Sequence, residues 1–499
     1  MNNYSTASNI QPVRDWLRYH FVDKKFSTWP GFFVFGILSV ALAYVTVLID
    51  YKLSFVLTGL FITALMFILI MKFPNFGFFL IIVYSALPST LSRLAGNDDI
   101  PFGSLTDLLI YITLFSVISK YDLRKRVDAR FWNNPIFIVM IMLLLYYIAE
   151  SVNPNMYNIL GWVSYTRKYI AVLCFFYISY ALLNTWKATK YFINFSIILT
   201  TLLAVYACKQ QWFGMATFEM NYIMRTKGQL ELLLQGGLLR KFSTLSDPAS
   251  TGILFSSVAV QCMILFLREA NIKKRIWLAI AIIFNLLGYG YSGTRTATLM
   301  IVAGIAFYSI ATLYELRTLI FVAGVIVAFT VLMTMPFNPP AIGRIRSTFT
   351  GTKDASALVR DINRHRVQPY LYKHPMGGGI FTAITEGPKY NPEHYLAGFP
   401  PDSGYMKVFA EQGWIGLTLL LISYFVIMQY GLNKFYKARD PEIQNQSIAL
   451  LTMIFTLMVG QYSQFAMGIE PQIYFYLGTL IFFLKLPDYD KNKFHEQIN

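Results

Sequence analysis

The chain contains fourteen apolar runs, and their length is the feature that most limits its possible folds. A helix that crosses a bilayer needs about 20 apolar residues, with a range near 17–25. Several runs are short, so the sequence predicts an all-α polytopic membrane protein with about 12–14 transmembrane helices. The runs cover residues 31–49, 53–71, 73–91, 105–119, 136–149, 169–183, 192–212, 249–267, 276–291, 296–314, 319–335, 414–431, 448–465 and 473–484.

Composition supports a membrane protein and argues against a nucleic-acid partner. Hydrophobic residues make up 56% of the 499 residues and charged residues 14%, against roughly 25% charged in soluble domains. The net charge is +16, but the basic residues lie between the apolar runs. Lysines and arginines in such positions set topology and contact anionic headgroups, so membrane lipid is the expected partner. The three cysteines show no CxxC or Cys/His spacing, which predicts neither a disulfide framework nor a metal site.

The distribution of basic residues predicts the orientation. With the N-terminus in the cytoplasm, the short inner connections carry 23 Lys and Arg residues and the short outer ones carry 5. Cytoplasmic loops are enriched in these residues, so this orientation is favoured. It gives a cytoplasmic N-terminal segment (1–30), a transmembrane domain (31–335) with an outer loop at about 213–247, and an outer, periplasmic loop (336–413). Further transmembrane helices (414–484) and a cytoplasmic tail (485–499) follow.

The outer loop at 336–413 gathers arginines, among them Arg344, and is expected to contain short helices. Long polar loops are usually functional. Leu358, Ile362, Val367 and Leu371 follow a loose helical period, and Arg360 and Arg364 are four residues apart. Two guanidinium groups on one helix face can bind phosphate or pyrophosphate, although a solvated amphipathic helix at the membrane surface explains the same pattern.

Two further arginines lie at predicted outer ends of helices. Arg240 precedes Asp247-Pro248, a helix-start signature in which Asp caps and Pro opens the first turn. Arg295 lies between two apolar runs in Ser-Gly-Thr-Arg-Thr, with no long polar loop to carry it away from the bilayer. An arginine at such a depth is a functional hypothesis by default, the alternative being a snorkelling side chain at a tight turn.

The end of the loop supplies candidate proton acceptors. Asp402 precedes an apparent helix, where it acts either as a base or as an N-cap. His394, eight residues earlier, is the second candidate base. The glycine run after His374-Pro375-Met376 lacks the Lys-Ser/Thr of a phosphate-binding loop and predicts no nucleotide site. A cationic cavity on the outer side suits an anionic ligand carried by the membrane, such as a lipid-linked diphosphate.

At these residues the chain resembles the O-antigen ligase and O-antigen polymerase superfamily of bacterial membrane glycosyltransferases. The resemblance covers roughly residues 240–416. It rests on the Arg240 patch before a span, the Ser-Gly-Thr-Arg element, the loop with Arg360, the His-Pro-Met-Gly-Gly-Gly element and the helix with Glu411-x-Gly413-x-x-Gly416. It implies a C-type glycosyltransferase fold in the bacterial inner membrane, a periplasmic active site, and donors linked to undecaprenyl diphosphate, with no metal and no other cofactor.

The resemblance also implies residue roles. By position, Arg240, Arg295 and Arg360 inherit pyrophosphate binding, and the loop arginines Arg344 and Arg364 are expected to join them. Many ligases of the superfamily carry a histidine where this chain has Asp402-Ser403. The sequence therefore favours a polymerase of O-antigen or exopolysaccharide repeat units, with Asp402, Arg295 and His394 as the catalytic candidates.

Two alternatives remain at the sequence level. One is a ligase that transfers the glycan to lipid A core or to protein. The other is a transporter of lipid-linked oligosaccharides, which would usually show internal repeats or buried charges in both halves. The expected partners are the lipid-linked glycan and an acceptor glycan or lipid, and a chain-length regulator or a flippase is a candidate protein partner.

Overall fold

A computed structural model describes most of the chain. It covers residues 15–16, 18–20, 29–44, 51–96, 102–226, 228–235, 237–334, 343, 346, 355–384, 386–401 and 403–498. Almost all regular structure in it is helical. The one sheet found there is a short hairpin of β1 (Leu234–Gln235) and β2 (Leu238–Leu239), antiparallel, in the outer loop.

The helices are numbered here in chain order. They are α1 (Trp29–Tyr44), α2 (Tyr51–Lys72), α3 (Pro74–Tyr84), α4 (Pro88–Ala95), α5 (Phe102–Ser119), α6 (Tyr121–Arg124), α7 (Ala129–Trp132), α8 (Pro135–Ala149), α9 (Ile159–Leu182), α10 (Trp186–Trp212), α11 (Thr217–Arg225), α12 (Gln229–Leu233), α13 (Pro248–Arg268), α14 (Ile272–Ser292), α15 (Arg295–Ala311), α16 (Leu316–Thr334), α17 (Ala355–Lys373), α18 (Glu386–Tyr390), α19 (Gly404–Lys437), α20 (Pro441–Gly460) and α21 (Gln472–Ile498).

The all-α polytopic architecture is confirmed. Each of the fourteen predicted apolar runs overlaps a helix or, for 73–91, the pair α3 and α4, which is bent by 60°. By length and composition, eight helices of the described residues can cross a membrane, or nine if the bent pair is one span. The sequence count of 12–14 is higher because it also includes helices such as α15, which has only 17 residues.

Contacts between connections agree with a two-sided arrangement. On the predicted outer side, the Asn155 side chain donates to the Gly377 carbonyl at 2.8 Å. On the predicted inner side, Arg130 pairs with Asp488 at 2.9 Å, and Arg268 pairs with Glu315. Connections assigned to one side of the membrane thus meet one another at one end of the bundle.

The helices α13 and α20 form the centre of the bundle. Most of each is buried, and α13 packs against α10, α14, α15 and α20. Small residues permit these close crossings, as is usual between helices in membranes. A Cβ atom on Gly252 of α13 would come within 2.6 Å of the Thr294 side chain, so this crossing requires glycine.

The outer loop folds against the start of α19 through a small apolar cluster. Val367 and Leu371 of α17 are buried in it, as their spacing predicts, together with Ala410 of α19. Leu358 and Ile362, earlier on the same helix, are exposed. The second half of α17 is therefore packed on the protein, and the first half presents apolar side chains on the surface.

Glycines join the loop to a break in α19. Gly413 has φ 64° and ψ −160°, which interrupts the helix before the apolar part begins. The amides of Gly378 and Gly379 donate to the carbonyls of Ala410 and Glu411, both at 2.8 Å. A Cβ atom on Gly377 would lie 2.6 Å from the Glu411 backbone. The glycine run therefore serves backbone-to-backbone packing.

Candidate functional site

The segment of residues 240–247, called the outer strap here, places Arg240 at the end of the bundle that the sequence predicts to face outward. The Lys241 amide donates to the Tyr291 carbonyl at 3.0 Å. The Arg93 guanidinium is buried below the strap and donates to the Leu245 and Ser246 carbonyls. These bonds fix the backbone of the strap on both sides.

Arg240 lies against the start of α15. Its Nε donates to the Ser292 carbonyl at 2.8 Å, and its Nη2 donates to the Thr294 hydroxyl at 3.2 Å. Thr294 is the residue before α15, and Arg295 is the first residue of that helix and is exposed. The two arginines predicted from separate sequence patches are therefore neighbours in space.

The turn of residues 461–463, called the hub turn here, connects Arg364 of the loop with the start of α15. The Thr296 hydroxyl, next to Arg295, is hydrogen-bonded to the Ser463 hydroxyl. Arg364 donates to the Tyr462 hydroxyl at 2.9 Å, and its guanidinium lies 4.8 Å from the centre of that ring. Arg364 thus contacts this turn directly, and Arg240 and Arg295 lie at the start of α15, which is tied to the turn through Thr296. The three arginines are called the arginine cluster below.

The beginning of α19 meets the other side of the hub turn. The Gly404 amide donates to the Gln461 carbonyl at 2.8 Å. Ser403 is the N-cap of the helix, because its hydroxyl accepts the Met406 amide. A Cβ atom on Gly404 would collide with the Gln461 side chain. The helix start next to Asp402 is thus held beside the arginine cluster.

Three predicted residues cannot be placed in full. Arg344 and Asp402 lie outside the described residues. Arg360 lies on α17 four residues before Arg364, as the sequence predicts, but its side chain is outside the described part. Their roles stay predictions.

His394 is buried in the loop. The Leu396 amide donates to its Nδ1 at 3.1 Å, so a neutral ring carries its proton on Nε2, which lies 3.3 Å from the Tyr370 hydroxyl. Burial lowers the pKa of His394 and favours this neutral form. To accept a proton from substrate it would have to release one of these partners, so Asp402 remains the first candidate for the base.

A cavity of about 730 Å³ adjoins the arginine cluster. Its polar wall comes from the outer ends of α5 and α9, from α18 and from residues 461–470, and its apolar wall from α8, α9, α19 and α21. Gln461 lines it, whereas its neighbours Tyr462 and Ser463 bond to Arg364 and Thr296. The hub turn therefore separates the cavity from the arginine cluster.

One charged residue that lines the cavity, Lys407, is not among the candidates that the sequence selects, and the buried Glu411 lies next to it on the same helix. Lys407 of α19 is buried, and its ammonium lies 5.2 Å from the Phe381 ring centre and 5.0 Å from that of Phe465. One turn later, the buried Glu411 carboxylate accepts the Ala383 amide at 3.2 Å. The spacing of Lys407 and Glu411 on one helix face was the available signal.

Two carboxylates from distant segments meet at another wall of the cavity. Asp107 pairs with Arg167 at 3.2 Å. Glu470 is bonded by the hydroxyls of Tyr474, at 3.2 Å, and Thr106, at 3.4 Å. The pKa of Glu470 is raised to about 7, chiefly by burial, and the nearby Asp107 contributes to this rise. Among the described residues, no group of three or more His, Cys, Asp or Glu is placed to hold a metal ion.

The comparison with protein families gives one match. Residues 279–421 match the family model described as O-antigen ligase. The matched segment runs from α14 through Arg295 and α17 and ends in α19, beyond its break at Gly413. The comparison with curated proteins finds no match.

Proposed function

We propose that this chain polymerises glycan repeat units carried on undecaprenyl diphosphate, because residues 279–421 match the family model described as O-antigen ligase. At the family level it is a membrane glycosyltransferase, and its apolar helices and family indicate the bacterial inner membrane. The proposal adds the donor, the polymerase reaction and an active site that faces the periplasm.

The observation that carries the proposal is the convergence of the arginine cluster. Arg364 of α17 bonds to the hub turn, and the start of α15, where Arg240 and Arg295 lie, is tied to the same turn through Thr296. Arginine offers a planar, permanently charged fork that matches phosphate oxygens. A diphosphate on a lipid anchor reaches this position because the cluster lies at one end of a bundle of membrane helices.

In the proposed reaction, a hydroxyl oxygen of the acceptor sugar attacks the anomeric carbon of the donor. The bond between that carbon and the phosphate oxygen breaks, and undecaprenyl diphosphate leaves with the electron pair. The hydroxyl proton passes to a base, for which Asp402 is the candidate. The arginine cluster stabilises negative charge as it grows on the leaving diphosphate.

The ligase remains the second candidate, and the description of the matching family favours it. Against it stands Asp402-Ser403 where many ligases have a histidine. Lipid A core lies at the outer leaflet like the repeat unit, so both acceptors are compatible with the same face of the bundle. Only the acceptor used distinguishes the two reactions.

The test is reconstitution of the purified chain in nanodiscs with an undecaprenyl-diphosphate-linked repeat unit, with and without lipid A core. We expect a ladder of glycan lengths and release of undecaprenyl diphosphate without lipid A core. Transfer of single units to lipid A core with no ladder would establish the ligase. No transfer to either acceptor would contradict both.

A further inference from the structure

We propose that the cavity of about 730 Å³ is the acceptor-sugar site, separate from the diphosphate site at the arginine cluster. This inference rests on the proposed function, because it assigns the second substrate of that reaction. Its volume falls in the range of roughly 300–1,000 Å³ that small-molecule sites occupy.

Position is the first argument. Residues 461–470 form a wall of the cavity, and at their start the hub turn contacts Arg364 of the arginine cluster and Thr296, the neighbour of Arg295. A sugar in the cavity and a diphosphate at the cluster would thus be separated by one stretch of backbone. A glycosyl transfer needs two substrates held close together in this way.

Charge is the second argument. The cavity is lined by four basic side chains and three acidic ones, so their charges nearly cancel. Arg167 is already paired with Asp107. Side chains whose charges nearly cancel do not favour a multiply charged anion. They do offer donors and acceptors to a neutral ligand that has many hydroxyl groups.

Aromatic surface is the third argument. Seven tyrosines line the cavity, as do Phe381 and Phe465. Their rings provide flat apolar surface for the C–H faces of a sugar, and tyrosine hydroxyls provide hydrogen bonds. The short helix α18 contributes Glu386, Lys389 and Tyr390 from the outer loop. With a pKa of about 7, Glu470 can donate to or accept from a sugar hydroxyl at neutral pH.

Glu386 is the best residue for a test, because it lies on the loop and not in the centre of the bundle. Binding is measured with two probes: undecaprenyl diphosphate, and the fluorescently labelled repeat-unit oligosaccharide released from its lipid. Glu386→Gln should weaken oligosaccharide binding about tenfold or more, the usual loss for a hydrogen bond to a charged group. It should leave undecaprenyl diphosphate binding unchanged.

Matched variants complete the test. Glu393→Gln changes an exposed carboxylate of the same loop that does not line the cavity, and it should leave both affinities unchanged. Arg364→Ala should show the opposite pattern to Glu386→Gln, with weaker undecaprenyl diphosphate binding and normal oligosaccharide binding. This double contrast separates the two sites.

A second experiment does not depend on the folding of a charge variant. Ser104 lines the cavity and is partly exposed, so Ser104→Cys is expected to fold and to react with a bulky maleimide. Modification after purification should abolish oligosaccharide binding and polymer formation and leave undecaprenyl diphosphate binding intact. The unmodified variant and maleimide-treated wild type, which has Cys174, Cys208 and Cys262, are the controls.

The outcomes distinguish the two proposals. If wild type forms polymer but Glu386→Gln and modified Ser104→Cys bind oligosaccharide normally, the cavity is not the acceptor site. If modification displaces undecaprenyl diphosphate, the cavity holds the lipid-linked diphosphate and the inference is wrong. If wild type neither forms polymer nor binds undecaprenyl diphosphate, the proposed function itself fails.

Discussion

The N-cap of α19 is Ser403, and this bears on the role of the preceding residue, Asp402. The Ser403 hydroxyl accepts the Met406 amide, so the cap is provided without Asp402. The sequence left two interpretations of Asp402 open, base or cap. Because Ser403 caps α19, the role of Asp402 that remains to be tested is that of a base.

Asp402→Asn is the first prediction at the residue scale. Asparagine retains the size and most hydrogen bonds of aspartate but cannot take a proton. We expect polymerisation to slow by about 10²–10⁴, the usual contribution of general base catalysis, with unchanged undecaprenyl diphosphate binding. Single-turnover rates on the lipid-linked repeat unit measure this. A normal rate would move the role to His394 or to no protein base.

Arg364→Ala is the second prediction, with Arg366→Ala as its control. Arg364 contacts Tyr462 at the hub turn, whereas Arg366, two residues later on α17, is exposed. We expect Arg364→Ala to lose most polymer formation, and Arg364→Lys to recover only part of it, because lysine lacks the planar fork. Gel analysis of the products measures this. Equal activity of both alanine variants would argue against a diphosphate site here.

Glu470 gives the third prediction, on pH. Its pKa is raised from 4.5 to about 7 by burial, so the folded state holds the proton more tightly than the unfolded state. Its contribution to stability is therefore full below pH 4.5 and is lost as the pH rises through 7. Between pH 5 and 8, the midpoint temperature of thermal unfolding in detergent should fall less for Glu470→Gln than for wild type. Parallel pH curves would contradict the assigned pKa.

At the scale of elements, the break in α19 and the glycine run depend on each other. Gly413 needs positive φ, and a Cβ atom there would collide with the Pro375 carbonyl. The break turns residues 404–412 against the loop, where Ala410 and Glu411 receive the amides of Gly378 and Gly379. The glycines shape the site without binding a ligand themselves.

Gly413→Ala is the prediction at this scale. The strained backbone and the collision should destabilise the protein by about 1–3 kcal/mol or more. Gly324→Ala is the control, because a Cβ atom on Gly324 in α16 meets nothing within 4 Å and alanine favours helix. The midpoint temperatures of thermal unfolding in detergent are compared for the two variants and wild type. A midpoint for Gly413→Ala at or above that of wild type would show that the break is dispensable.

At the scale of the whole molecule, the connections sort into two groups at opposite ends of the bundle. The ends with Arg364 and Arg240 were assigned to the outside from 23 against 5 basic residues. The inner group is tied by ion pairs such as Arg130–Asp488 and Lys493–Asp440. The proposed chemistry requires the arginine end to face the periplasm.

Cysteine labelling tests the orientation. Glu393 is exposed on the arginine end, and Lys273 is exposed at the other end. An impermeant maleimide added to intact spheroplasts should label Glu393→Cys, and it should label Lys273→Cys only after lysis. The reverse pattern would invert the topology and remove the periplasmic active site.

The sequence by itself determined the all-α membrane class and where the helices lie, because runs of about 20 apolar residues fit the thickness of a bilayer. It also selected Arg295, because an arginine between two apolar runs is costly. It selected Arg364 by its four-residue spacing from Arg360, and Arg240 by its place before a helix-start signature. It predicted the cap at Asp247, whose carboxylate accepts the Ser250 amide at 2.9 Å. These features depend on residues near one another in the chain.

Which of these segments contact one another in space is visible in the tertiary structure and not in the sequence. In the sequence, the hub turn is only the end of a predicted apolar run. It contacts Arg364, which lies more than 90 residues away in the chain, and no residue pattern near the turn predicts this contact. Glu470 and Asp107 meet across 363 positions, and Lys407 is buried between two aromatic rings from separate segments. Such contacts arise from helix packing, which depends on the shape of whole surfaces and leaves no local pattern in the sequence.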